Sequence, residues 1–176
     1  MATNDGTDIQ ADIGATKEMP TPRPPSRVTA AWRGDYRWDA GRTGGQPARF
    51  DGNAETGQSP PDALLSALAA CAGIDVTDVL AKRRTPPDAL RVEVTGHRRA
   101  APPRRFTRID LEFVVDGEAV ERVHAERAVR LAFETYCSVA ATLAPDVELW
   151  TSVTLNGERG EPVRQANWRG EQRAER

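Results

Sequence analysis

Several features that mark common functional classes are scarce in this sequence of 176 residues. It has only two cysteines, too few for the disulfide framework of small secreted domains. It contains neither a Gly-rich phosphate loop nor a nucleophile-elbow serine. The net charge is −2, which gives no general reason to expect nucleic acid as a partner. The functional classes that rely on these features are therefore not expected.

Targeting signals are also missing from the pattern. The first residues contain no basic segment followed by an apolar stretch, which argues against secretion. No uninterrupted apolar run approaches the roughly twenty residues that span a bilayer. We therefore expect a cytoplasmic protein without a membrane association. In that reducing compartment, two cysteines are more often free, buried or redox-active than permanently linked.

Polar composition at both ends sets the bounds of the folded part. Residues 1–26 are polar and then proline-rich, which is typical of a disordered tail. Residues 157–176 are equally polar, and we expect them to form a flexible C-terminal tail. The predicted domain is therefore 27–156.

Within this domain, the spacing of apolar residues predicts three strands, a long helix, two strands, two helices and a last strand. The long helix begins after Ser59, a favourable N-cap, with Pro60 at its first position and Asp62 in its first turn. From 63 to 74 it is apolar on nearly all sides. The element order predicts an α+β fold with antiparallel strands.

The two cysteines are the residues that can carry chemistry. Cys71 lies in the apolar part of the long helix, where core packing is the simpler interpretation and a redox thiol needs a nearby positive group. Cys137 lies between two helical segments, where free amide hydrogens can favour a thiolate, or it too packs in the core. His97 and His124 lack close metal-ligand spacing with either cysteine, so no metal is expected.

Two sequence motifs surround these cysteines, SPPDALLSALAACAGIDV at 59–76 and YCSVAATL at 136–143. Together they resemble the OsmC/Ohr family, most of all its OsmC-like, YhfA-type branch. The resemblance extends over 27–156. Four flanking segments agree with it: VTAAWRG at 28–34, FDG at 50–52, FTRIDLEF at 106–113 and AVRLA at 128–132.

The resemblance implies an intertwined homodimer in which curved antiparallel sheets wrap around two long central helices. A second copy would then cover the outer face of the apolar helix. It further implies a thiol peroxidase that reduces organic hydroperoxides without a cofactor. Cys71 would be the peroxidatic cysteine and Cys137 the resolving cysteine. An external dithiol or a lipoylated protein would reduce the resulting disulfide.

The chain departs from the family's well-characterised peroxidases at two positions. Those enzymes have a glutamate ten residues before the first cysteine, which anchors an arginine over the thiolate, and here that position is Pro61. Asp62 follows and is the candidate that would orient the arginine. Arg37 and Arg33 are the candidates for the arginine itself, with Arg49 as a third possibility. The alternative function is a non-catalytic redox-sensing or small-ligand-binding protein, and a purely structural role for both cysteines is also open.

Overall fold

A computed structural model describes residues 24–166 of the protein, so the predicted tail of residues 1–26 lies almost wholly outside the described residues. The strands are β1 (Val28–Trp32), β2 (Arg37–Arg42), β3 (Ala48–Asp51), β4 (Ala89–Arg98), β5 (Phe106–Asp116), β6 (Glu148–Leu155), β7 (Glu158–Arg159) and β8 (Val163–Gln165). The helices are α1 (Pro60–Lys82), α2 (Arg122–Leu131) and α3 (Ser138–Thr142), with a π-helical segment at Ala132–Tyr136. This element order confirms the predicted α+β class.

The first sheet is an antiparallel meander in the order β1-β2-β3. The turn between β1 and β2 uses positive φ angles at Gly34 and Asp35, a conformation that glycine adopts at little cost. At the end of β3, buried Asp51 accepts hydrogen bonds from the amides of Asn53 and Thr56 and from the Thr56 hydroxyl. These bonds fix the loop that carries the chain from the first sheet into α1.

Helix α1 begins where the sequence predicts and ends at Lys82. The Ser59 side chain accepts a hydrogen bond from the Asp62 amide at 3.3 Å, and Pro60 occupies the first position. At the other end Arg84 adopts a φ of 64°, and the amides of Arg84 and Thr85 donate to the carbonyls of Ala81 and Leu80. This is the reversed hydrogen-bond pattern of a Schellman C-cap.

The second sheet is mixed, which corrects the prediction of purely antiparallel strands. Strands β4 and β5 pair antiparallel, but β6 runs parallel to β5, with Arg108 opposite Glu148 and Val115 opposite Leu155. The physical reason is the connection between β5 and β6. It passes through α2, the π-helical segment and α3, and such a crossover returns the chain to the starting end of the sheet.

The prediction of a flexible tail from residue 157 is wrong for the part that the structure describes. Strand β7 pairs with the end of β6, and β8 pairs with its beginning, placing Gln165 opposite Leu149. Gln165 is buried and donates a hydrogen bond to the Thr151 hydroxyl at 2.7 Å. Residues 167–176 lie outside the described residues.

The core lies between the second sheet and the helices. Its fully buried large side chains include Leu68, Val76 and Leu80 from α1 and Leu111 and Phe113 from β5. Helix α1 packs on β4 and on α2, and it contributes four fully buried side chains to this core. The core therefore fixes α1 as the rigid element against which the candidate site is built.

The opposite face of α1 is not covered within the protomer, and Ile74 remains 62% exposed. By length and composition alone, α1 is also apolar enough to cross a membrane, so the expectation that no segment meets that criterion does not hold. Asp75 and Asp78 nevertheless interrupt its second half. An uncovered apolar face of this kind is typical of a surface that another molecule buries.

Candidate active site

Helix α1 places Cys71 at the edge of the core. Its side chain is partly buried and packs against core residues, while its sulfur lies 3.9 Å from the Ser138 hydroxyl at the start of α3. Asp75 follows four residues later, about one helical turn along the same face of α1. Position and orientation of both side chains are therefore set by the packing of a 23-residue helix.

Cys137 is held by the break between the π-helical segment and α3. Its amide donates to the Ala132 carbonyl at 2.7 Å, and its backbone is extended, with φ −67° and ψ 97°. Its sulfur accepts a hydrogen bond from the Ala140 amide at 3.5 Å. The predicted break at this position is confirmed, and it points the Cys137 side chain inward, where it is 2% exposed.

The two sulfur atoms and a carboxylate oxygen of Asp75 all lie within 4.8 Å of one another, and both cysteines are free. Residues 71 and 137 are distant in sequence, so their proximity is a product of the fold. Burial raises the pKa of Cys137 to about 12, and the Ala140 amide offsets only part of this effect. The expectation that amide hydrogens make Cys137 a thiolate is therefore not met, because desolvation outweighs them.

This pair of thiols can be compared with known proteins. The family model described as "OsmC-like protein" matches residues 52–152, which include both cysteines and Asp75. The chain belongs to the OsmC-like family. The protein YhfA of Escherichia coli K12 is 38% identical over 106 residues, which cover 60% of this chain and 79% of YhfA.

Solved structures show the same OsmC fold. The OsmC-like protein from Mycoplasma pneumoniae has a TM-score of 0.66 at 19% identity and covers 75% of this chain and 97% of its own. The organic hydroperoxide resistance protein OhrB of Bacillus subtilis has a TM-score of 0.51 at 22% identity, with coverages of 73% and 97%. At these identities the likeness concerns the fold alone.

In this OsmC-like chain, Arg37 and Arg49 lie on β2 and β3 of the first sheet, and Arg33 lies in the connection between β1 and β2. Arg33 and Arg49 donate to opposite oxygens of Asp39, at 2.8 and 2.5 Å, and Arg37 donates to Asp35 at 2.7 Å. Among residues 24–166 of the protomer, no arginine forms a hydrogen bond with Cys71. Which arginine serves the thiolate therefore stays a prediction, and the protomer alone does not assemble that contact.

The acidic candidate of the sequence analysis lies away from the sulfur atoms. Asp62 is exposed at the first turn of α1, where its carboxylate accepts a hydrogen bond from the Ser59 hydroxyl at 2.6 Å. Nine residues along a helix correspond to roughly 13 Å, so Asp62 and Cys71 are separated by much of the first half of α1. The carboxylate beside the thiols is Asp75, which the sequence analysis did not select. Its spacing of four residues from Cys71 was the available signal.

The histidines considered as metal ligands are also placed elsewhere. His97 contacts Asp110 at 2.8 Å, and His124 contacts Arg83 at 2.6 Å. A closed structural zinc site needs four protein ligands, and no fourth His, Cys, Asp or Glu of the described chain joins the two sulfurs and Asp75. In residues 24–166, the OsmC-like site is thus a thiol pair with one adjacent carboxylate.

Proposed function

We propose that this OsmC-like protein is a thiol-dependent peroxidase that reduces organic hydroperoxides through a disulfide cycle of Cys71 and Cys137. The observation that carries the proposal is the approach of the two sulfur atoms to within 4.8 Å of each other. A disulfide needs a sulfur separation of about 2 Å, so the two sulfur atoms approach further when the bond forms.

Exposure of the two thiols supports the assignment of their roles. Cys71 is partly exposed, so a peroxide can reach it, whereas Cys137 is buried and protonated at neutral pH. The Cys71 thiolate attacks the outer peroxide oxygen, the O–O bond breaks, and an alcohol leaves while a sulfenic acid forms. The Cys137 sulfur then displaces hydroxide from that sulfenic acid, giving a disulfide and water.

The cycle closes with an external reductant. A small dithiol or a lipoylated protein reduces the disulfide by thiol exchange and is itself oxidised to a disulfide. Sulfur carries both electrons, so the proposed cycle uses no cofactor. We also propose that the protein works in the cytoplasm, where such reductants keep both thiols reduced between turnovers.

A largely apolar cavity at the first turns of α1 supports an organic rather than an inorganic peroxide. The cavity has a volume of about 300 Å³, and its lining includes Pro61, Leu64, Phe106 and Leu143 as well as Arg98, Arg104 and Arg105. Leu64 lies two helical turns before Cys71, a distance of about 10 Å. A hydroperoxide with a hydrocarbon tail can bury that tail in such a cavity while its peroxide group extends toward the thiol.

The arginine that ionises Cys71 is proposed to require a homodimer. The first sheet projects large apolar side chains into solvent, including Trp32, which is 62% exposed, and α1 leaves Ile74 uncovered. Both surfaces are of the kind that a second copy would bury. In the intertwined dimer, Arg37 or Arg33 of one copy would lie over the thiol of the other.

A second candidate function is favoured by two observations. Pro61 occupies the position of the family glutamate, and within the described protomer Cys71 lacks an arginine partner. A thiol without that partner reacts slowly, which suits a sensor that is oxidised once and is later reduced again by an external thiol.

Turnover of cumene hydroperoxide with dihydrolipoamide separates the two functions, measured on the wild type, Cys71→Ser and Cys137→Ser. A peroxidase turns over many equivalents and loses all activity in Cys71→Ser. Without the reductant, its Cys137→Ser variant stops at the Cys71 sulfenic acid after about one equivalent. Labelling of Cys71 with a sulfenic-acid probe in the absence of turnover would establish the sensor instead. If neither cysteine reacts, the peroxidase proposal is wrong and only a structural role remains.

A further inference from the structure

Among the described residues, Asp75 is the one carboxylate grouped with the two thiols, and the proposed cycle has not yet used it. One of its oxygens lies within 4.8 Å of both sulfur atoms. Its Oδ2 atom is buried and has no hydrogen-bond partner. No lysine, arginine or histidine between residues 24 and 166 forms an ion pair with it. A buried carboxylate oxygen without a partner is costly, so its position beside two free thiols calls for a chemical explanation.

The surroundings of Asp75 favour the uptake of a proton. Burial and then the charge of Asp78 raise the pKa of its carboxyl above the ordinary value. The groups that face it are Cys71 and Asp78 on α1 and Cys137 from the break before α3. A carboxylate that holds a proton more firmly than usual is better matched to exchanging protons with thiols.

We propose that Asp75 is the proton-transfer residue of the disulfide cycle, taking the proton of each thiol and giving it to each leaving oxygen. The proposal rests on the peroxidase function proposed above and adds a residue to it. It places the working carboxylate one helical turn after Cys71, on the same face of α1 as the thiol.

The protons balance in both steps. In the first, the Asp75 carboxylate accepts the Cys71 proton, the thiolate takes the outer peroxide oxygen, and protonated Asp75 delivers that proton to the departing alkoxide, giving an alcohol. In the second, Asp75 accepts the Cys137 proton, and the Cys137 sulfur bonds to that of Cys71. Asp75 then protonates the departing hydroxide to water. Asp75 is unchanged after each step, and the peroxide is the oxidant throughout.

Two electrophiles with different leaving groups isolate this role. An alkoxide is a poor leaving group that needs a proton, whereas iodide leaves iodoacetamide as a stable anion without one. Removal of the Asp75 charge also favours thiolates nearby, since that charge raises the pKa of Cys137. Cys71 can also lose its proton to solvent, so loss of proton delivery to the leaving oxygen should slow the reaction with peroxide but not alkylation. Distortion of the site would slow both.

The experiment measures both second-order rate constants on reduced wild type, Asp75→Asn, Asp75→Glu and the control Asp88→Asn, in the presence of a chelator. Asn is nearly isosteric with Asp, and Asp88 is exposed in the loop before β4, outside the group of atoms around the sulfurs. For Asp75→Asn we expect the peroxide reaction to slow by about 100-fold or more with alkylation equal or faster. Asp75→Glu should recover part of the peroxide rate, and Asp88→Asn should stay within about 3-fold of the wild type in both reactions.

Two results would overturn the proposal: an Asp75→Asn protein that reduces peroxide at the wild-type rate, or one that loses both reactions in parallel while remaining folded by circular dichroism. Failure of the proposed function gives a different pattern. In that case the wild type itself does not consume peroxide, although its Cys71 is still alkylated.

Discussion

At the scale of single residues, burial divides the work between the two thiols. Cys137 is 2% exposed and accepts one amide hydrogen bond, yet burial still dominates and holds its pKa at about 12. A resolving cysteine can stay protonated until a sulfenic acid forms next to it, and its protonation protects it from competing oxidants. Cys71 is the exposed member of the pair and meets the peroxide first.

Cys71 and Cys137 should therefore be alkylated at different rates at neutral and mildly alkaline pH. Because its pKa is raised, Cys137 remains a neutral thiol at neutral and mildly alkaline pH and becomes a thiolate only near pH 12. We expect iodoacetamide at pH 7–9 to label Cys71 well ahead of Cys137, as read by peptide mass spectrometry. Urea-unfolded protein is the control, and there both should be labelled at similar rates. Faster labelling of Cys137 in the folded protein would contradict this division of roles.

Asp62 offers a second test at this scale, because its contacts are those of a helix cap. Its amide and carboxylate both engage Ser59, and the thiols lie much further along α1. We expect Asp62→Asn to leave the peroxide reaction of Cys71 within about 2-fold of the wild type, with a stability loss of a few tenths of a kcal/mol. A much slower reaction in the folded variant would mean that Asp62 orients the arginine after all.

The sequence predicts the site residues that lie in a local motif, but not the contacts that residues make across the fold. Cys71 and Cys137 could be identified because each lies in a local motif whose helical context is visible in the chain. Asp75 was within reach through its four-residue spacing, but the sequence gives no sign that its oxygen is unpaired. The partners of Arg33, Arg37 and Arg49 depend on tertiary and quaternary packing, which local spacing does not encode.

At the scale of elements, the ends of α1 decide where the site lies along the core. Ser59 caps the first turn, and the chain reverses at Arg84. Between these points, Cys71 and Asp75 alternate with the buried residues that anchor the helix in the core. An N-cap is a local signal, and for that reason the sequence predicts where this helix begins.

Loss of the N-cap should weaken the protein without altering its chemistry. We expect Ser59→Ala to lower the free energy of unfolding by about 1 kcal/mol, because the Asp62 amide loses its acceptor. Urea denaturation measures this, with Ser26→Ala as the control, since Ser26 is exposed and lies outside every strand and helix. The Cys71 alkylation rate of the folded protein should be unchanged in both variants. Equal stability of the two variants would show that the cap contributes nothing.

Other elements could not be predicted from the pattern. Alternating residues identify which face of β6 is buried but not its direction, which depends on the crossover through α2 and α3. Strands β7 and β8 have two and three residues, too short for a periodic signal, and pairing with β6 determines them. The spacing of apolar residues does not distinguish the π-helical turn at Ala132–Tyr136, which precedes the break at Cys137, from ordinary helix.

At the scale of the whole molecule, the uncovered surfaces of the protomer favour assembly. The outer face of α1 and the apolar side chains of the first sheet are exposed together. A monomer seldom leaves extensive apolar surface in water, and a two-fold dimer buries matching surfaces from both copies. The same assembly would bring an arginine of the first sheet to the thiol of the other copy.

A charge on the outer face of α1 should therefore separate the copies. We expect Ile74→Asp to shift the sedimenting species from twice the chain mass of 19.2 kDa toward the chain mass itself. Val163→Asp is the matched control, since Val163 on β8 is 57% exposed but lies on the other sheet. A wild type that sediments as a monomer, or an Ile74→Asp variant that remains dimeric, would contradict the proposed assembly.

The central claim is that a peroxide joins two sulfur atoms that the fold holds side by side. Its most direct test is the mass of the reduced, chelator-treated protein after one equivalent of cumene hydroperoxide, followed by alkylation and peptide mapping. The proposed cycle predicts a peptide pair linked by a Cys71–Cys137 disulfide within one chain, with neither cysteine alkylated. Two alkylated cysteines, or a disulfide that joins two chains, would contradict it.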